Sequence, residues 1–299
     1  MDKYTIKRVA VCMICLVVMA SCICIKARNS SSYSGTASVL SASVRSEPQI
    51  AARAAVVVDY ETGKVLYEKN ADLQLPMAST TKIMTTLLTL ESGDIDDWFT
   101  VDSEAIKVEG SSMGLSEGKI VTKRILAYGM MLPSGNDAAN AAAIAVAGSI
   151  EDFVGLMNEK AENFGLTNTY FVTPSGLDDY TDEHYSTALD MANLTRLALS
   201  NETFREICGT KSICLQFGDG ESFWLSNSNK LLSSCDGVIG VKTGFTDKAG
   251  RCLVSACERD GVTLICVTLS DPNDWYDHTN LYDYCFQMAG AVTHISETN

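Results

Sequence analysis

The sequence predicts a mixed α/β (α+β) domain: an antiparallel sheet built from strands at both ends of the chain, flanked by helices and carrying an inserted, mostly helical lobe. Three observations lead there. Runs rich in β-branched and aromatic residues stand at 54–68 and return at 238–269. The stretch between them is dominated by helical patterning. Glu61-Thr62-Gly63 in the first group and Asp260-Gly261 in the second join neighbouring runs as hairpin turns do. Strands, helices, strands and a closing helix, in that order, place both ends in one sheet and the middle, about 85–185, on it as a lobe. A cleft between sheet and lobe is then the expected place for a site.

The elements follow from the N-terminus. Lys3, Lys7 and Arg8 precede the apolar run Val9 to Ile25, the pattern of an export signal or an N-terminal anchor over residues 1–27. Cleavage after Ala27, retention as an anchor, and lipidation at Cys22 in "MASC" all stay open, and each puts residues 50–299 outside the cytoplasmic membrane. Residues 28–48 are serine-rich without apolar periodicity and read as a tether. The folded domain is expected over 49–292, with a short tail at 293–299. "AAVVVDYETGKVLYEKN" supplies the first hairpin. From Met84 to about Ala147 the pattern reads as mostly helical, broken at Pro133 to Gly135. "STALDMANLTRLALS" is a further helix capped by Ser186 or Thr187. "VIGVKTGF", "RCLVSACER" and "VTLICVTLS" are strands, and Trp275 to Ala289 forms an amphipathic closing helix.

Composition narrows the function. A formal charge of -14 and the lack of a Lys/Arg cluster argue against nucleic-acid binding. Of 11 cysteines, four fall in the export segment and seven in the second half, which is not the framework of a small disulfide-stapled domain. Cys208 and Cys214 are spaced to bridge a short loop; buried core thiols are the competing reading. His184, His278 and His294 have no close Cys/His pairs, so no metal is implied.

Three short groups carry chemistry. Ser79 and Lys82, in "PMASTTKIMTTLL", lie one helical turn apart, where a hydroxyl and an amine can touch as nucleophile and base. The plainer reading is a helix N-cap after Pro76. Ser134-Gly135-Asn136 falls in the break between two helices, otherwise an ordinary polar turn. Lys242-Thr243-Gly244 falls on a strand, otherwise an edge lysine beside a glycine bulge. Ser-x-x-Lys, Ser-x-Asn and Lys-Thr-Gly in that order, each in a fitting context, make a joint coincidence hard to sustain.

With these groups the chain resembles the penicillin-recognising serine enzymes, and among them the D-alanyl-D-alanine carboxypeptidases, the low-molecular-mass penicillin-binding proteins. The resemblance runs from about Pro48 to Ala289 through "GSSMGL" at 110–115, "PSGNDAANAAA" and "VKTGFTDKAGRCLVSACERDGVTLICVTL". It implies a serine β-lactamase/DD-peptidase-like fold and an exported enzyme that removes the terminal D-alanine from peptidoglycan stem peptides through an acyl-enzyme. It implies β-lactam antibiotics as covalent inhibitors, no cofactor, and membrane association only through the N-terminus. Ser79 is implied to be the acyl-ester nucleophile, Lys82 the general base with its pKa lowered by burial and by Lys242, and Ser134 the proton relay. Asn136 would hold the substrate peptide, Lys242 and Thr243 the terminal carboxylate, and the backbone N–H groups of Ser79 and Phe245 the oxyanion. Gly244 would leave room for substrate.

The family's arginine after the last strand, which helps to hold the carboxylate, has no counterpart in "SDPNDWYDHTN"; His278 either substitutes for it or is an ordinary polar residue of the closing helix. Two alternatives stand beside the carboxypeptidase. A class A β-lactamase would need a glutamate that "TNTYFVTPSGLDDY" lacks, and a non-catalytic wall-binding protein would have no use for the intact serine and lysines.

Overall fold

The computed structural model describes residues 46–178 and 181–296. The export segment, all but the end of the tether, and the last three residues of the tail lie outside the described residues.

Five antiparallel strands form the main sheet in the order β2-β1-β9-β8-β7: β1 (Ala54–Asp59), β2 (Val65–Lys69), β7 (Val238–Thr246), β8 (Gly250–Arg259) and β9 (Val262–Leu269). The first and last parts of the chain thus share one sheet, as the turn chemistry predicts. Asp59 accepts from both Thr62 N and Thr62 Oγ1 at 2.7 Å and Gly63 takes φ 72°, closing the β1–β2 hairpin. Asp260 and Gly261 are both left-handed, which matches the right-handed twist of β8 and β9.

Alternation along each strand feeds two cores. Ala54, Val56 and Val58 face one cluster with Val254, Ile265 and Val267, while Ala55 and Val57 face another with Leu253, Leu264 and Cys266. Both faces are covered, so β1 reads as a continuous apolar run instead of alternating with polar residues. The helical lobe covers the first face: α1 (Lys82–Glu91), α2 (Lys123–Met131), α3 (Asn136–Ala147), α4 (Ile150–Asn163), α5 (Ala188–Leu199) and α6 (Glu202–Gly209). After the four-residue α7 (Leu231–Ser234), the closing helix α8 (Asp274–Ser296) covers the second face with Leu281, Tyr282 and Cys285.

Several expectations change. Residues 92–122 are not helical: they are loops around two short strands, β3 (Phe99–Thr100) and β4 (Ile120–Val121). Gly93, Gly110, Gly114 and Gly118 all have positive φ there, a conformation that interrupts a helix. Helices α4 and α6 and the hairpin β5 (Ser212–Gln216)–β6 (Ser222–Ser226) add to the elements read from sequence. Their cap signals were present: Ser149 accepts from Asp152 N and Asn201 from Phe204 N. Cys208 and Cys214 do not bridge, because Cys208 is buried at the end of α6 and Cys214 is exposed on β5, both as free thiols.

Candidate active site

The site begins at a turn that no cap explains. Ala78 to Thr81 form a 3₁₀ turn ahead of α1, with Ala78 at φ 49°, and no side chain caps either its start or that of α1. Thr80 and Thr81 donate back to Met77 O at 2.6 Å and to Ala78 O at 2.7 Å. The N-cap reading therefore fails, and the Ser79 hydroxyl is left for something else. Two glycines let the chain crowd this turn. A Cβ on Gly176 would lie 2.0 Å from Ala78 O, and one on Gly244 would lie 3.1 Å from both Met77 O and Ser79 N. The space that Gly244 leaves is taken first by the serine turn. His184 braces the same turn: Val172 N donates to its Nδ1 at 3.0 Å, so Nε2–H donates to Thr81 Oγ1 at 2.8 Å. Burial first, then Lys82, lowers this imidazole to about 4, so it stays neutral.

Lys82 is fully buried at the head of α1. Its Nζ lies 2.8 Å from Ser79 Oγ, 2.7 Å from Asn136 Oδ1 and 2.6 Å from Ser175 O. Burial, and then the charge of Lys242, pull its pKa well below the usual lysine range, with Asp137 opposing. A neutral amine has two N–H bonds and one lone pair. In that form, donation to Asn136 and to the Ser175 carbonyl would leave the lone pair toward Ser79 Oγ, whose hydroxyl also lies 3.4 Å from Ser175 O.

Asn136 opens α3 with its amide fixed at both ends, since Nδ2 donates to Glu109 O at 2.6 Å. The buried Asp137 beside it gathers Met113 N, Gly114 N, Leu115 N and Ser112 Oγ, which ties "GSSMGL" to the head of the helix. Ser134 sits in the break between α2 and α3 at φ 67°. Its hydroxyl has no hydrogen-bond partner among the described residues and borders the same cavity as Ser79.

That cavity, about 330 Å³, opens between Ser79, Ser134 and the end of β7, where Thr243, Gly244 and Phe245 line it. Thr243 Oγ1 is 2.8 Å from Ser228 Oγ, and Phe245 is 63% exposed. Lys242 is buried behind the wall with Nζ donating to Thr243 O at 2.9 Å; burial pushes it down to about 7. The structure thus joins Ser79, Lys82 and Asn136 by direct hydrogen bonds, sets Ser134, Thr243, Gly244 and Phe245 around one opening, and keeps the Lys242 amine buried behind them.

His278 is not part of this site. It is fully buried on the sheet-facing side of α8, with Ser255 Oγ 2.7 Å from Nδ1 and Thr268 Oγ1 3.0 Å from Nε2, and burial lowers it to about 3. It can neither receive a substrate carboxylate nor face solvent. Sequence reasoning also missed the Ser175 carbonyl and Arg251. The first carries no side-chain signal. The second was readable from hairpin register, which sets Arg251 directly across from Phe245.

A serine hydroxyl held on a buried amine, at the mouth of a cavity beside an edge strand, is an arrangement that suits a serine acyl-transfer enzyme. Comparison with known proteins makes this specific. The sequence profile of the D-alanyl-D-alanine carboxypeptidase family matches residues 41–273, and the chain belongs to that family. It is 37% identical over 245 residues to the D-alanyl-D-alanine carboxypeptidase DacF of Bacillus subtilis, covering 79% of this chain and 62% of the length of that relative. To the D-alanyl-D-alanine carboxypeptidase of Streptomyces sp. strain K15 it is 35% identical over 275 residues, covering 85% of this chain and 94% of that one. The crystal structure of the Streptomyces K15 DD-transpeptidase superposes with a TM-score of 0.76 at 36% identity, covering 81% of this chain and 99% of that one.

Proposed function

We propose that the protein is an exported serine D-Ala-D-Ala carboxypeptidase that trims peptidoglycan stem peptides. The observation that carries this reading is the Lys82 amine, 2.8 Å from Ser79 Oγ and spoken for by two other acceptors. Ser79 Oγ attacks the carbonyl carbon of the penultimate D-alanine while its proton passes to Lys82. The oxyanion is met by the backbone N–H groups of Ser79 and Phe245. Collapse breaks the peptide bond, and the terminal D-alanine amine leaves with the proton that Lys82 returns through Ser134. Water, activated by the same amine, then hydrolyses the ester. As an edge strand of the main sheet, β7 has one side open to add the substrate as a further strand. Asn136 and Thr243 would flank that peptide.

A β-lactam presents the same kind of acyl carbon, so penicillin is expected to acylate Ser79 and to leave slowly. The loop that supplies Ser175 O to Lys82 contains no glutamate, which weighs against a β-lactamase. The charged and apolar start of the chain supports action outside the cytoplasmic membrane, on the cell wall.

Release of D-alanine from a pentapeptide ending in D-Ala-D-Ala tests the reading, with Ser79→Ala as control. Release by the native protein alone is the expected result. Release by neither, with no penicillin adduct on the native protein, would move the assignment toward a wall-binding protein. Transfer of the acyl group to an added amine in preference to water would mark a transpeptidase, the name borne by the Streptomyces structure.

A further inference from the structure

A substrate that ends in a free carboxylate needs a cation on the cavity surface, and Lys242 is buried behind it. Among the described residues lining the cavity, the cationic ones are Arg251 and Lys230. They differ in how they are held. Lys230 is exposed and its amine has no hydrogen-bond or ion-pair partner among the described residues. Arg251 is fixed: Nη2 lies 2.8 Å from both carboxylate oxygens of the buried Asp274, and the guanidinium carbon stands 5.3 Å from the centre of the Trp275 ring. Asp274 is itself held by Trp275 N, which donates to Oδ1 at 2.8 Å. Nε and Nη1 of Arg251 have no partner among the described residues, and the side chain is 41% exposed.

We propose that Arg251 receives the terminal carboxylate of the substrate and that Asp274 and Trp275 position it, so that carboxylate selectivity comes from β8 and not from the segment after β9. The inference rests on the carboxypeptidase reading above. Register supports it. Arg251 is the cross-strand partner of Phe245, whose N–H is assigned to the oxyanion. Opposed Cα atoms in an antiparallel pair stand ~4.5–5.5 Å apart, and the substrate carboxylate lies one residue, about 3.8 Å of chain, beyond the scissile carbonyl. A fixed guanidinium with two unused N–H donors suits a carboxylate better than a solvated ammonium does.

The test compares probes with and without the negative charge: a peptide ending in D-Ala-D-Ala against its C-terminal amide, and benzylpenicillin against its methyl ester, the latter pair read as acylation rates by intact mass. In Arg251→Gln the preference for the charged member of each pair should fall roughly 10- to 100-fold, the loss of a charge-assisted contact, while reaction with the uncharged member holds. Arg251→Lys should retain part of the preference, and Lys230→Gln all of it. An unchanged preference in Arg251→Gln, or its collapse in Lys230→Gln, overturns the proposal. Should the native protein cleave neither peptide, the carboxypeptidase reading falls while the penicillin pair still decides the role of Arg251. No reaction with any probe would overturn both.

Discussion

The two faces of the main sheet each hold a serine on a buried nitrogen base, and only one of the serines, the half-buried Ser79, meets a cavity. On the lobe face, Ser79 Oγ lies 2.8 Å from Lys82 Nζ and opens into about 330 Å³. On the α8 face, Ser255 Oγ lies 2.7 Å from His278 Nδ1, with Tyr282 OH 2.6 Å away and Thr268 closing the other ring nitrogen. By residue type the second pair looks the better nucleophile and base. Yet Ser255 and His278 are fully buried and their own side-chain polar atoms are all paired, so nothing can reach the hydroxyl. The difference teaches that a hydroxyl–base contact is structural until it faces space. Ala78 and Ser134 hold left-handed φ beside the Ser79 cavity.

The largest effects should break the two faces apart. Ser79→Ala and Lys82→Gln are expected to reduce acylation by at least about 10³-fold with little change in stability. Ser255→Ala should do the reverse, costing about 1–3 kcal/mol in urea unfolding as His278 and Tyr282 lose a partner, with acylation within about twofold of native. Equal losses of activity in both would dissolve the contrast. Next comes Gly176→Ala, whose Cβ would meet Ala78 O at 2.0 Å at a residue with φ 88°. Acylation should fall at least about tenfold as the serine turn is displaced. Gly244→Ala, tighter than usual at 3.1 Å but without the strained φ, should lose less.

A smaller separation should come from pH. Burial holds His278 at about 3 when folded, below its ordinary 6.5, so the unfolded chain takes up protons first as pH falls. Stability present above pH 6.5 should drain away toward pH 3. Asp271, raised to about 6 by burial, opposes this between about 6 and 3.8, since its folded form is the more readily protonated. On the lobe face the corresponding effect is on rate. Acylation should rise with pH as Lys82 loses its proton and decline above about 7 as Lys242 loses its charge. Equilibrium unfolding and acylation rates measured over one pH series would separate the two.

Much of this was legible in the sequence, for reasons of period and spacing. The strands at both ends, the break at Pro133 to Gly135 and the helix after Thr187 follow from local patterns that tertiary structure did not overrule. Ser79, Lys82 and Asn136 were found because their chemistry lies in side chains. Ser175 was not, since its contribution is a carbonyl that any residue would supply. Arg251 was not, because its approach to the cavity comes from the pairing of β8 with β7 and not from any motif along the chain. His278 lies on the closing helix, as the plainer of its readings had it, but that it is buried was not legible, since the Ser255 and Thr268 partners that hold it come from across the sheet. The loops at 92–122 lost their helical reading to glycines at positive φ.

The central claim is that the accessible serine on the lobe face, and not the sealed one on the α8 face, is the nucleophile. Peptide mapping of the protein after reaction with penicillin tests it most directly. A single adduct on the peptide carrying Ser79, absent from Ser79→Ala and from Lys82→Gln, is the predicted result. An adduct on the peptide carrying Ser255, or one that persists in Ser79→Ala, would contradict it.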